Sequence, residues 1–205
     1  MTANYFLKEI VMEGLSPKFD SEWKDVKLYT PLQSCQSLLN EHAECVAVEA
    51  FLKMASLPFQ LVERPNVEYM SPSGEAPFLK LDNILVPGFD SIVEFVGKKG
   101  VRLSAGLTNT AKADLEAHIA FIEESLRGAE LYMLWLDEAT YTMVTKERYG
   151  IVFSWPLCSL LPKLKRRQVR QYLTDIGWAG KTMDEVVSLA DRCFKSLSSL
   201  LGQKE

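Results

Sequence analysis

The feature that most constrains the fold is a pair of short apolar segments that follows an Ala-Pro step. Residues 71–86 read SPSGEAPFLKLDNILV, in which Pro77 punctuates a turn. The dipeptide Asp82-Asn83 separates the two apolar segments and tolerates the positive φ of a tight hairpin turn. Residues 78–81 and 84–86 are therefore predicted to form two adjacent antiparallel strands.

The segments before this hairpin alternate between strand and helix patterns. Residues 26–30 and 59–62 alternate apolar and polar side chains, as a short half-buried strand does. Between them, residues 43–56 repeat apolar positions at helical spacing. Asn40 is a candidate cap for this helix, and Pro58 ends it.

A further helix is predicted directly after the hairpin. Asp90 or Ser91 can cap it, and its apolar positions are Ile92, Val93, Phe95 and Val96. The predicted order is therefore strand, helix, strand, strand, strand, helix. Residues 98–108 are polar and contain two glycines, which favours a connection between domains.

Everything after this connection has a helical pattern. One apolar stripe, with Thr110 near its start, comprises Leu115, Ile119, Ile122, Leu126, Ala129, Met133 and Leu136. A second follows Trp155-Pro156 and comprises Leu157, Leu160, Leu161 and Leu164. Thr182 and Glu185 have the spacing of a capping box, in which each side chain satisfies an unpaired amide at the helix start. The buried face predicted for that last helix comprises Met183, Val186, Val187, Ala190, Phe194, Leu197 and Leu201.

Several multi-residue blocks then narrow the choice of family. They are Ala50-Phe-Leu-Lys-Met54, Leu57-Pro58, Glu68-Tyr-Met-Ser-Pro-Ser-Gly74, Pro77-Phe78, Ala129-Glu-Leu-Tyr132, Trp135, Asp137-Glu-Ala-Thr140, Arg148-Tyr-Gly150, Trp155-Pro-Leu157, Ile176-Gly-Trp178 and Lys181-Thr182. In this order, between about residue 25 and residue 201, they resemble the metaxin family. Metaxins are similar in build to glutathione transferases.

The resemblance implies an α/β domain followed by an all-α domain, in the glutathione-transferase-like arrangement. It places an N-terminal extension at residues 1–24, a thioredoxin-like domain at 25–97, a linker at 98–108 and a helical domain at 109–205. The proline that opens the third strand is cis in this superfamily, so Pro77 is expected to be cis. Metaxins continue beyond the last residue here, so the helical domain is expected to be incomplete. Faces of its last helix are then expected to be exposed or covered by a partner.

The resemblance also implies a non-enzymatic role on the cytosolic face of the mitochondrial outer membrane. Such a subunit of the sorting and assembly machinery aids import and insertion of β-barrel proteins. Its expected partners are a metaxin 1-like protein and the barrel assembly subunit. A role as an adaptor for mitochondrial transport, with kinesin or a mitochondrial GTPase as partner, is also attached to the family. No run of about 20 apolar residues is present, so membrane residence is expected mainly through a partner.

The chemistry of glutathione transferases has no obvious counterpart in this chain. A hydroxyl or thiol near the N-terminus of the first helix ionises bound glutathione in those enzymes, and this position falls at residues 40–43. These are Asn, Glu, His and Ala, with Glu44 next, and carboxylates there oppose an anion. The resemblance thus implies no catalytic residue and no cofactor. Tyr29 is predicted to be an ordinary strand residue, and Cys35 and Cys45 to be buried or idle thiols.

Asp90-Ser91 aligns with the acidic-serine pair that holds the amino-acid end of glutathione in active relatives. Asp90, Ser91 and Pro77 are therefore the candidates for a vestigial glutathione site. A plain helix cap also accounts for the Asp-Ser pair without any ligand. The alternative function is accordingly an active glutathione-dependent transferase.

Metal and nucleic-acid binding are not expected. The cysteines form no Cys-x-x-Cys pair and the two histidines have no ligand spacing; these residues are Cys35, Cys45, Cys158, Cys193, His42 and His118. The formal net charge of −4 disfavours attraction to nucleic acid.

The remaining candidates are surfaces. The basic run Lys163, Lys165, Arg166, Arg167 and Arg170 is either a solvated helix face or a contact for anionic lipid head groups or an acidic partner. An apolar N-terminal set is either a docking segment or folds back on its own domain; it comprises Tyr5, Phe6, Ile10, Val11 and Leu15. Trp135, Trp155 and Trp178 are predicted to lie in the core.

Overall fold

The chain separates into two compact units, Met1–Gly106 and Leu107–Glu205. A computed structural model of the chain describes residues 23–36 and 38–202. The apolar N-terminal set, interpreted as either a docking segment or a segment that folds back on its own domain, lies outside these described residues.

The first unit contains a four-stranded mixed sheet with the order β2-β1-β3-β4. Its strands are β1 Lys27–Thr30, β2 Gln60–Glu63, β3 Phe78–Leu81 and β4 Ile84–Pro87. β1 pairs in parallel with β2 and antiparallel with β3, which pairs antiparallel with β4. Asp82 has a φ of 50° in the turn between β3 and β4. The strand and hairpin predictions are therefore confirmed.

The helices of this unit are α1 Leu39–Met54, α2 Val67–Met70 and α3 Phe89–Lys98. Both predicted helices are present, whereas the short α2 was not predicted. The predicted caps were wrong. Leu38 occupies the N-cap position of α1, and Asn40 lies inside the helix. Gly88, with a φ of 72°, occupies the N-cap position of α3, so Asp90 and Ser91 fall in the first turn.

Gly88 explains why α3 begins earlier than predicted. A positive φ is readily adopted only by glycine, so the chain turns into the helix directly after β4. Buried apolar residues from β1, α1, β3, β4 and α3 form one core. They include Leu28, Val48, Leu52, Leu79, Val86, Ile92 and Val96. This core packs α1 and α3 against the sheet.

The second unit is helical, with three π-helical turns inserted. Its segments are α4 Asn109–Ile122, π1 Glu123–Arg127, α5 Gly128–Leu131, π2 Tyr132–Leu136, α6 Glu138–Thr140, π3 Tyr141–Thr145, α7 Lys146–Gly150, α8 Leu157–Asp175 and α9 Met183–Leu201. Thr108 caps α4, and the predicted capping box of Thr182 and Glu185 is confirmed at the start of α9.

The apolar stripe predicted through residues 115–136 is only partly buried. Leu115, Ile119 and Met133 are exposed, whereas Ala129 and Trp135 are buried. Each π turn adds a residue to the helical repeat, because its hydrogen bonds run from i to i+5. π1 and π2 therefore move later residues out of phase with a stripe drawn at a constant 3.6 residues per turn.

The apolar face predicted for α8 was also wrong. Leu157, Leu160 and Leu164 are exposed, and the buried face instead contains Pro162, Val169 and Leu173. Pro162 approaches α7 closely, since a Cβ on Gly150 would lie 3.5 Å from the proline ring and 2.5 Å from the Cys158 carbonyl oxygen. Because Gly150 has no side chain, α7 can pack closely against the face of α8 that contains Pro162.

The predicted buried face of α9 is confirmed only in part. Val186 is buried, whereas Val187, Phe194 and Leu201 are exposed at seven-residue steps. Trp135 and Trp178 are buried as predicted, and Trp155 is exposed instead. A Cβ on Gly128 would lie 2.5 Å from the Trp178 indole, so only glycine allows this tryptophan to pack against α5.

Candidate functional site

The first turn of α1 is the place where the resemblance to glutathione transferases leads us to expect a group that activates a thiol. Residues 39–42 form that turn, and Glu41 contributes a carboxylate to it. The partial positive charge of a helix N-terminus favours an anion, but a neighbouring carboxylate opposes one. The turn therefore lacks both a hydroxyl or thiol donor and a favourable field for a thiolate.

Cys45 lies one turn further along α1 and is fully buried. Burial, followed by the charges of Glu41, Glu44 and Glu49, raises the pKa of the Cys45 thiol from 9.0 to about 12. The thiolate is the reactive form of cysteine, and at neutral pH almost none of Cys45 is in that form. Cys45 is therefore a packing residue, and Cys35 is a half-buried free thiol in the preceding loop.

The loop between β1 and α1 is tied to the segment that follows β2. The Gln33 amide donates to Glu63 Oε1 at 3.0 Å, and Gln36 Nε2 donates to the Pro65 carbonyl oxygen at 2.8 Å. Within the described residues, three buried acceptor atoms near this loop have no hydrogen-bond partner; they are Thr30 Oγ1, Gln36 Oε1 and Asn40 Oδ1. The loop is thus held against the end of β2 by two hydrogen bonds, while some of its buried polar atoms are not used.

The candidates for a vestigial glutathione site are brought close together by the hairpin. The Ala76–Pro77 bond is cis, as expected. The Gly88 amide donates to the Pro77 carbonyl oxygen at 2.9 Å, which brings the start of α3, with Asp90 and Ser91, beside Pro77. Asp90 is exposed and Ser91 is half-buried.

Tyr29 is occupied by packing. Its ring stacks on Phe78 with 4.7 Å between the ring centroids and 6° between the planes. Both residues belong to a small cluster with buried Val67 and Ala76. This environment agrees with the prediction of an ordinary strand residue.

The basic run on α8 is divided between the interior and the surface. Arg166 turns inward, where Nε donates to the Trp135 carbonyl oxygen at 2.7 Å and Nη2 donates to Glu138 Oε2 at 2.7 Å. Its guanidinium also lies 4.0 Å from the centroid of the Tyr141 ring. Lys163, Arg167 and Arg170 are exposed, and Lys165 is half-buried.

Arg166 and Thr145 together complete the C-terminal end of π2. The last carbonyl groups of a helix lack partners within it, and here side chains supply them. Thr145 Oγ1 donates to the Leu134 carbonyl oxygen at 2.6 Å, next to the Arg166 contact with Trp135. The Arg166 guanidinium lowers the pKa of Glu138 by hydrogen bonding and by its charge. Arg166 is therefore a structural residue, and the surface run consists of its neighbours.

Two apolar surfaces are exposed, of which only the second was expected, as an exposed face of the last helix. The first joins Trp155, which is 84% exposed, to the outward leucines of α8. The second is the α9 stripe of Val187, Phe194 and Leu201. A signal for the first surface was present in the sequence, because α8 contains a second apolar set at helical spacing. If this second set is buried, the leucines lie on the opposite, exposed face; the set comprises Cys158, Pro162, Val169 and Leu173.

Within residues 23–36 and 38–202, no helix is long and apolar enough to cross a bilayer.

Comparison with known proteins gives the family. A family described as Tom37, outer mitochondrial membrane transport complex protein, matches residues 45–166. That range is more than half of the 205-residue chain. The class of protein that this match defines is a component of an outer mitochondrial membrane transport complex.

Individual relatives refine this result. A Metaxin-2 homolog of Caenorhabditis elegans is 44% identical over 205 residues, which are 100% of this chain and 89% of the nematode protein. Metaxin-2 of Homo sapiens is 42% identical over 179 residues, which are 87% of this chain and 68% of the human protein. A Metaxin-1 homolog of Caenorhabditis briggsae is 29% identical over 159 residues, which are 75% of this chain and 49% of that protein. The chain belongs to the metaxin family, and its identity is higher to these metaxin-2 proteins than to the metaxin-1 homolog.

Proposed function

We propose that this chain is a non-enzymatic subunit of the sorting and assembly complex of the mitochondrial outer membrane. It pairs there with a metaxin 1-like protein on the cytosolic face and aids the insertion of β-barrel proteins. The observation that carries the proposal is the similarity to metaxin-2 proteins along 87–100% of the chain.

The fold class belongs to the same proposal. We infer a glutathione-transferase-like build, with a thioredoxin-like domain at residues 25–97, a linker at 98–108 and a helical domain at 109–205. The sheet order β2-β1-β3-β4 and the cis-proline before β3 support this inference. Because the first turn of α1 contains no activating group and Cys45 is buried, the scaffold acts by binding other proteins.

Co-purification tests the proposed partners directly. The tagged chain is expressed at its natural level, and mitochondria are solubilised in mild detergent before affinity isolation and mass spectrometry. The proposal expects a metaxin 1-like protein and the barrel assembly subunit in near-equal amounts to the bait. Recovery of kinesin or a mitochondrial GTPase, with no assembly subunit, would replace this proposal with the transport-adaptor role.

A second measurement separates binding from enzymology. The purified chain is passed over immobilised glutathione and assayed with glutathione and a generic electrophile. The proposal expects no turnover above the uncatalysed rate. Robust turnover that is lost with Cys35→Ser would establish the transferase alternative.

A further inference from the structure

The outward face of α8 carries apolar side chains that the second unit does not cover. Leu157, Leu160 and Leu164 are 46%, 48% and 48% exposed. Their spacing of three and four residues places them on one side of the helix. The opposite side supplies the buried Pro162 and Val169, so the exposed leucines are not required for the core.

Trp155 extends this face beyond the start of the helix. It precedes Pro156 and is 84% exposed. Fully exposed tryptophan is unfavourable in water, and an indole prefers an environment with an apolar side and a polar side. The boundary between lipid and water provides such an environment, and tryptophan is enriched there in membrane proteins.

Exposed cations border the leucines. Lys163, Arg167 and Arg170 follow one another at four- and three-residue steps on the adjacent side of α8, and all three are exposed. Residues 148–174 contain six Lys or Arg residues and no Asp or Glu, although the whole chain has a net charge of −4. Of these six, Lys163, Arg167 and Arg170 are the exposed ones, and they lie beside the apolar face.

We propose that Trp155, Leu157, Leu160 and Leu164, together with Lys163, Arg167 and Arg170, form a lipid-docking face that binds an anionic bilayer surface. In a bilayer, an apolar layer lies directly beneath anionic head groups. A helix with an apolar side bordered by cations matches both layers at once. This contact adds to recruitment by a protein partner and does not depend on it.

Sedimentation of the purified full chain with vesicles tests the lipid-docking face. The vesicles are phosphatidylcholine alone or phosphatidylcholine with phosphatidylglycerol, each at low and high salt. The chain is expected to bind the anionic vesicles at low salt and to dissociate as salt rises. The fluorescence difference between the wild type and Trp155→Phe isolates Trp155, whose emission is expected to shift to shorter wavelength on binding.

Matched variants assign the binding to this face. Trp155→Ser is expected to weaken partitioning roughly tenfold, and Lys163→Gln or Arg167→Gln about fivefold each. The controls are Phe194→Ser and Lys195→Gln on α9, where both side chains are also exposed, and they are expected to leave binding unchanged. Thermal unfolding confirms that each variant remains folded.

The proposal would be overturned if the chain did not bind anionic vesicles at low salt, or if wild type and Trp155→Ser bound equally well. Equal losses of binding in the α9 control variants would overturn it as well. Association of this face with a purified outer-membrane protein, without any partition into lipid, would also overturn it. The partner complex is measured separately by co-purification, so its failure and the failure of lipid docking are distinguishable.

Discussion

At the scale of single residues, two side chains are the most informative. Cys45 concerns thiol chemistry, and Arg166 concerns the packing of the second unit. Cys45 is a thiol on α1, but burial and three nearby carboxylates keep it protonated. Arg166 belongs to a cationic run, but it binds backbone carbonyl groups within the second unit. The burial of Cys45 agrees with the prediction of an idle thiol, whereas the structural contacts of Arg166 were not predicted.

Thiol labelling checks the state of Cys45. At pH 8, an alkylating reagent is expected to modify Cys35 and Cys158, which are half-buried, while Cys45 and Cys193 react only after denaturant is added. Peptide mass spectrometry identifies the modified sites. Rapid native labelling of Cys45 would contradict the assigned burial.

The raised pKa of Cys45 also predicts how the free energy of unfolding changes with pH. Because the folded-state pKa lies above the ordinary value, the unfolded chain ionises first as pH rises. The contribution of Cys45 to stability is therefore complete below pH 9.0 and declines towards pH 12. A Cys45→Ala variant is expected to lack this part of the alkaline decline.

The adjacent pair Arg166 and Arg167 gives a matched test of the inward contact. Arg166→Ala is expected to cost about 2 kcal/mol of unfolding free energy, because it leaves the Trp135 carbonyl oxygen without its charged donor. Arg167→Ala, at an exposed position, is expected to change stability by less than about 0.5 kcal/mol. Equal effects in urea denaturation would show that Arg166 is not held as described.

At the scale of elements, local chemistry decides where helices begin, and α9 is the clearest example. Thr182 Oγ1 accepts a hydrogen bond from the Glu185 amide, and the Thr182 amide donates to Glu185 Oε2 at 2.7 Å. Thr182→Ala is expected to lower stability by about 1 kcal/mol at pH 7. Ser188→Ala, at an exposed position within α9, is the control and is expected to cost nothing measurable.

The carboxylate half of the capping box depends on pH. The hydrogen bonds from Thr182 lower the pKa of Glu185, so its contribution is present above the ordinary pKa of a glutamate. That contribution is lost as the pH falls through the lower folded-state pKa. The stabilities of wild type and Glu185→Gln are therefore expected to converge in acid, and a constant difference down to low pH would contradict the assignment.

The sequence predicted the helices and strands better than it predicted which face of each helix is buried. The Asp82 turn, the capping box and the order of strands and helices along the first unit were predicted, because each depends on patterns among neighbouring residues. The outward direction of Leu160 was not predicted, because α8 has two apolar sets at helical spacing and its packing against α7 decides which set is buried. The inserted π turns in residues 123–145 likewise change the phase of the helix without a recognisable local signal.

The candidate site was predictable to a similar extent. The resemblance placed the activating position at residues 40–43, and the sequence shows that these residues include no hydroxyl or thiol. The inward turn of Arg166 could not be predicted, because its acceptors lie about 30 positions earlier in the chain. The position of Asp90 and Ser91 inside α3 could not be predicted either. The chain turns at Gly88, directly after β4, so the helix begins before these two residues.

At the scale of the whole molecule, the family membership and the buried thiol support the same account. The first unit contains a four-stranded mixed sheet packed with helices, and the second presents two exposed apolar surfaces. Large exposed apolar patches in a folded protein usually mark binding sites. The molecule is therefore best explained as a binding component of an outer-membrane complex.

The most direct test of that account is assembly of a β-barrel precursor in isolated mitochondria depleted of this protein. Depleted mitochondria are supplied with wild type or with the double variant Cys35→Ser/Cys158→Ser, which removes both half-buried thiols. The account predicts that both restore the rate at which the labelled precursor enters its mature complex. Restoration by wild type alone, with the double variant folded and bound to its partner, would contradict it.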